Sequence, residues 1–136
     1  MVRRTGRPLM LGLALVVGLL VGCQMLAPGP SDEEQIRSMI DTFVNAGNKG
    51  DVDAVMACFA EDFATEDGAD KETIRFMLED GIASGIEFGA SDIEIDIAED
   101  GTTAKVEGVE IDYTPYVATV AKRNGKWLIV GGEEQY

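Results

Sequence analysis

Histidine is absent from the 136 residues, and that narrows the chemistry available to the chain. A reactive cysteine needs a neighbouring cation or imidazole to hold it as thiolate. Zinc sites draw their ligands largely from cysteine and histidine. Of the two cysteines, Cys58 lies in the apolar stretch Ala54-Val55-Met56-Ala57-Cys58-Phe59, with no such partner nearby in sequence. It reads as a small buried hydrophobe. Carboxylates are plentiful, and Glu61, Asp62, Glu66, Asp67 and Asp70 crowd one segment. Their spacing is not that of an EF-hand loop. No metal and no cofactor is expected.

The other cysteine has a different setting. Met1 to Arg7 carries Arg3, Arg4 and Arg7 and no acid, and Leu9 to Val21 is uncharged. A basic segment followed by an apolar one is the order of a secretion signal. The apolar run is about 13 residues, short of the roughly 20 needed to span a bilayer. It ends in Leu20-Val21-Gly22-Cys23, which resembles a lipobox. Residues 1–22 are therefore expected to be a lipoprotein signal peptide, and Cys23 the lipid attachment point. Two or more acyl chains hold a protein stably on a membrane. The chain is expected outside the cytoplasm, anchored to the bacterial cell membrane or the outer membrane.

Removing that signal takes three of the 11 cations and leaves eight against 25 acids, a formal charge of −17. Nucleic-acid binding requires Lys and Arg to neutralise phosphates, so that class is excluded. The acids are dispersed, as on a solvated surface. The remaining 114 residues suit one domain.

Cys23 and the tether occupy 23–31, and the domain 32–136. Ser31-Asp32-Glu33-Glu34 has capping-box spacing. Ile36, Met39, Ile40, Phe43 and Val44 then recur on one helical face, and Gly47-Asn48-Lys49-Gly50 is expected to break that helix. Asp51 should cap a second helix, buried through Val52, Val55, Met56 and Phe59. Asp70 should cap a third, buried through Ile74, Met77, Leu78 and Ile82. Phe76 falls on the opposite side of this third helix, to be covered by the preceding loop or else to face a partner. From Asp92-Ile93-Glu94-Ile95-Asp96-Ile97 onward the period is 2, the mark of a strand with one wet face. A second strand runs from Ala104 through Val106 and slips parity at Glu107-Gly108, reading as a β-bulge. It resumes with Val109, Ile111 and Tyr113. Tyr116 to Lys122 and Trp127 to Val130 follow, joined at Asn124-Gly125 by a tight hairpin. Three helices before an antiparallel meander make an α+β layer fold.

Two stretches carry a family resemblance. One runs from Phe43 through Asn45-Ala46-Gly47-Asn48-Lys49-Gly50-Asp51 to Met56 and on into Phe59-Ala60-Glu61-Asp62-Phe63. The other is Arg123-Asn124-Gly125-Lys126-Trp127-Leu128-Ile129-Val130. Together with the element order they make residues 32–136 similar to the nuclear-transport-factor-2-like superfamily, with its ketosteroid isomerase and SnoaL-like members. The resemblance implies a cone of three helices packed on a curved antiparallel sheet, with a pocket between them. It further implies that Asp67 occupies the place of the isomerases' carboxylate base. The tyrosine of their oxyanion hole is replaced by Phe43, and their second acid by Thr119. Loss of one oxyanion donor typically lowers the rate about 10²–10³-fold, so these replacements argue against an isomerase. Aspartates beside glycine also commonly shape turns.

The expected function is a non-catalytic domain of the cell envelope binding a small apolar ligand or a protein partner. Its pocket would be lined by Phe43, Phe59, Phe63, Asp67, Tyr113 and Thr119. The alternatives are an isomerase or dehydratase using Asp67, or a scaffold whose aromatics fill the cone. A homodimer through the outer sheet face is also expected, because Tyr116 to Ala121 and Trp127 to Val130 are apolar on both faces.

Overall fold

The computed structural model describes residues 29–135. The signal segment, Cys23 and the tether up to residue 28 lie outside the described residues. Ser31–Tyr136 form a compact unit.

Helix α1 spans Asp32–Lys49. Ser31 caps it, its hydroxyl accepting from the Glu34 amide at 3.2 Å. Asp32, Glu33 and Glu34 fill the first turn, where negative charge complements the helix dipole. The buried stripe is Ile36, Ile40, Phe43, Ala46 and Gly47. The segment Gly47-Asn48-Lys49-Gly50 ends α1 as expected, at its last residue: the helix runs to Lys49, with Gly50 as its left-handed cap (φ 77°). Packing explains Gly47, since a Cβ there would lie 2.5 Å from the Phe88 ring. Asn48 stays helical while its side chain clamps the Phe88 backbone. It donates to the carbonyl and accepts from the amide, both at 2.9 Å.

Helix α2 is the short Val52–Met56 segment, capped by Asp51. Cys58 follows, buried and unpaired, its thiol pushed up by desolvation. Helix α3 spans Lys71–Ala83, and Asp70 caps it by accepting from the Thr73 amide at 2.9 Å. That cap holds the Asp70 carboxyl below its ordinary range. Leu78 is buried on α3, whereas Phe76 is 73% exposed and Met77, expected on the buried stripe, is 59% exposed. The loop before α3 therefore does not cover Phe76.

The sheet is β1 (Phe88–Ile97), β2 (Thr103–Ile111), β3 (Thr114–Arg123) and β4 (Lys126–Glu134), antiparallel in that order. β1 starts before the strictly alternating segment, at the residue that Asn48 holds. The bulge expected at Glu107-Gly108 is present and is one of three side by side. Residues 91–93 of β1 stand against Gly108 alone, between the pairs Ala90↔Val109 and Glu94↔Glu107. Residues 107–108 stand against Val117 alone, between Val106↔Ala118 and Val109↔Tyr116. Val130 is extra between Thr119↔Gly131 and Val120↔Ile129. Each bulge bends its strand, and aligned across the sheet they fold it over the helices.

On one side of this bend the concave face is solid core. Ala104, Val106, Val120 and Trp127 are all at most 3% exposed. On the other side Val109, Ile111 and Tyr116 face a cavity. The outer edge of β4 is partly closed by the segment after α2. The Ile129 amide donates to the Cys58 carbonyl at 2.8 Å and the Ala60 amide to the Ile129 carbonyl at 2.9 Å. Leu128 and Val130, which alternate with Trp127 and Ile129, are half-buried. The exposed large apolar side chains among the described residues are Phe76, Met77 and Tyr113.

Candidate functional site

A cavity of about 710 Å³ opens between α1, α3, the loop 59–69 and the bent half of the sheet. Its floor is aromatic. Phe43 meets Phe59 edge-to-face at 6.0 Å, and Phe59 meets Phe63 likewise at 5.1 Å. Phe88 backs Phe43 from behind at 5.4 Å. Ile40, Ile74, Leu78, Val109 and Ile111 supply aliphatic walls, and Met77 lies at the lip. Edge-to-face rings are a favourable arrangement, so the floor is set by its own packing.

The loop that carries the rim is internally bonded. The Thr65 amide donates to the Ala69 carbonyl at 2.9 Å, and the Ala69 amide returns a bond to the Thr65 hydroxyl at 2.9 Å. The same hydroxyl donates to Asp67 Oδ1 at 2.5 Å. The Ala64 amide ties the loop to the Val130 carbonyl at 3.2 Å. Glu66 and Asp67 are exposed at the mouth, and Glu134 from the end of β4 is also part of the lining. Tyr116 contributes a hydroxyl that donates to Glu134 at 3.4 Å.

Of the six residues singled out from sequence, Phe43, Phe59, Phe63 and Asp67 line this cavity. Tyr113 and Thr119 do not. Tyr113 does not continue β2 but sits with Asp112 in a two-residue turn in which both have positive φ, 65° and 50°. It is 75% exposed, and its hydroxyl donates to Glu87 at 2.6 Å. That bond and the Glu87 charge raise its ionisation above the ordinary tyrosine range. Thr119 lies between the core residues Ala118 and Val120. Alternation along the strand turns it to the opposite face, beside Lys105 and Gly131. Ile111 and Tyr116 line the cavity instead. Tyr116 was legible as a strand residue, but its facing depended on the hairpin that Asp112-Tyr113 concealed.

Asp67 stands at the solvent end of the cavity, away from the apolar floor, and takes part in a turn. Phe43 places no hydrogen-bond donor in the cavity. Asp67→Asn keeps an acceptor for the Thr65 hydroxyl and should change stability by less than about 1 kcal/mol, read from the denaturant midpoint. A larger loss would mean that the carboxylate charge itself holds the loop. Among the described residues no group of three or more Cys, Asp or Glu is arranged to hold a metal ion.

Three comparisons bear on the architecture. No protein-family model matches the sequence, and no curated protein does. Solved structures match well in shape. A provisionally assigned scytalone dehydratase from Novosphingobium aromaticivorans superposes with a TM-score of 0.63, at 23% identity over 76% of this chain and 83% of its own. An NTF-2-like protein of unknown function from Shewanella oneidensis gives 0.62, at 17% identity over 76% and 98%. This chain has the nuclear-transport-factor-2-like fold. A provisionally assigned aromatic ring hydroxylase, also from Novosphingobium aromaticivorans, agrees at 0.63, with 19% identity over 80% and 92%. At these identities the nuclear-transport-factor-2-like likeness is one of fold alone. The cone expected from the sequence is the observed architecture, and the cavity lies between its helices and curved sheet.

Proposed function

We propose that this domain is a non-catalytic binding module of the bacterial cell envelope, held at a membrane by lipid on Cys23. The observation that carries the binding role is the cavity of about 710 Å³ with its aromatic and aliphatic floor. Small-molecule sites typically occupy about 300–1,000 Å³, mostly apolar with a few polar groups. Two features favour binding over turnover. Asp67 is at the mouth in a bonded turn, and the family resemblance implies that Phe43 replaces the isomerases' oxyanion tyrosine. Native mass spectrometry of residues 24–136 should find a co-purifying molecule released on unfolding. Asp67-dependent turnover of an enolisable ketone would overturn the non-catalytic reading.

The anchor rests on the order of Arg3, Arg4 and Arg7, the uncharged Leu9 to Val21, and Leu20-Val21-Gly22-Cys23. Metabolic labelling with a fatty acid should mark the wild-type chain, and Cys23→Ser should abolish the label and release the protein from membranes. Equal labelling of the Ser variant would refute the lipid attachment.

A further inference from the structure

We infer that the cavity takes a cationic amphiphile, one apolar body carrying a protonated or quaternary amine. This rests on the proposed binding role and adds the class of ligand. The cavity itself supplies the first half of the argument, because its floor and walls offer an apolar body a place out of water. Met77 extends that apolar surface over the lip, and its neighbour Phe76 is exposed beside it.

The charge at the mouth supplies the second half. Among the described residues the carboxylates of the lining are Glu66, Asp67 and Glu134, and no described lysine or arginine lines it. The distribution along the sheet points the same way. At the cavity end lie Glu110, Asp112, Glu133 and Glu134, while Lys122, Arg123 and Lys126 cluster around the β3–β4 hairpin at the other end. Two of those cations are engaged there. Lys122 contacts Asp32 at 2.8 Å, and Arg123 holds Asp62 at 2.9 Å. A cleft lined by one sign of charge with low-dielectric walls focuses its field and concentrates the counter-ion. A fatty acid or phosphate ester would bring its anion to three carboxylates with no cation among the described lining residues. An ammonium head on the same tail would meet those carboxylates as its counter-charge.

The size of the preference follows from exposure. Solvated ion pairs are individually weak, so three of them should give about tenfold between cation and neutral head, falling as salt shortens the Debye length. The test uses residues 29–136, which contain the compact unit and its core. Decyltrimethylammonium, decanol and decyl sulfate are titrated below micelle formation at low and high salt. Methyl resonances of Ile74, Met77 and Ile111 are followed to locate the binding. The expected result is one equivalent of cation and of alcohol shifting these methyls, the cation about tenfold tighter, and the sulfate weakest. The combined variant Glu66→Gln, Asp67→Asn, Glu134→Gln should bring the cation-to-alcohol ratio below about twofold while decanol binding persists. That control separates the rim from the general attraction of an acidic protein. Equal binding of all three heads, tighter sulfate, or an unchanged ratio in the variant would overturn the cationic assignment and leave the binding reading intact. No movement of the cavity methyls with any probe would overturn both.

Discussion

Gly108→Ala is expected to destabilise the domain by about 3–5 kcal/mol, from the sum of a backbone and a packing penalty. The backbone at Gly108 has φ 97°, a left-handed conformation that a side chain disfavours. A Cβ there would also overlap the Ser91 carbonyl oxygen and stand 3.1 Å from the Asp92 carbonyl oxygen. These are backbone atoms of the neighbouring strand, so no rotamer change relieves the contact. Relief would require β1 to move at the position where Ser91, Asp92 and Ile93 already bulge opposite Gly108. Domains of this size are stable by only about 5–15 kcal/mol, so the variant should lose a large part of its stability. A fall in urea midpoint is the readout. A midpoint within about 0.5 kcal/mol of wild type would mean that the sheet bends equally well without the glycine. Because Val109, Ile111 and Tyr116 reach the cavity only beyond this bend, a surviving fraction should also bind ligand less well.

That bend was partly legible beforehand, through the parity slip at Glu107-Gly108. Its two neighbours were not. Ser91 lies just before the run that reads as strand, Asp92-Ile93 and Val130 lie within such runs, and none is a glycine, so their bulges are dictated by pairing across the sheet. The helix caps Ser31, Asp51 and Asp70 were legible because each is a local bond between a side chain and an amide three residues on. Which residue of Gly47-Asn48-Lys49-Gly50 ends α1 was not legible, for the opposite reason. Gly47-Asn48 resembles a breaker, yet Phe88 lies against one residue and bonds the other from 40 positions away. The same limit governs the site. Phe43, Phe59 and Phe63 lie on elements whose facing follows from helical period or short loops. The hairpin at Asp112-Tyr113 uses positive φ without the Asn-Gly or Asp-Gly pair that usually announces it. Missing that turn carried Tyr113 into the pocket on paper and left Tyr116 out of it. Thr119 entered by alignment, and the strand's alternation turns it to the other face.

Trp127→Ala should cost about 3–5 kcal/mol, the usual range for emptying a buried aromatic site. Trp127 is 2% exposed and joins β4 to α1. Its indole Nε1 donates to Asp32 Oδ1 at 3.1 Å, Lys122 stands 5.5 Å over its ring, and Lys122 itself contacts Asp32 at 2.8 Å. These groups fasten the start of β4 to the first turn of α1. Trp127→Phe separates packing from this polar tie, since it keeps most of the ring but removes the donor. The hydrogen bond from Lys122, and then that from Trp127, holds the Asp32 carboxyl below the ordinary aspartate range. A carboxyl whose folded ionisation is depressed adds stability above its unfolded pKa of about 3.9. That stability is lost as pH falls through the lower folded value. The Phe variant should therefore lose part of this contribution near neutrality, and its deficit relative to wild type should narrow in acid. Its Asp32 carboxyl, followed by carbon-detected NMR titration, should ionise at higher pH than in the wild type. An unchanged Asp32 titration would show that Lys122 alone sets this carboxylate, leaving Trp127 to act through its buried ring.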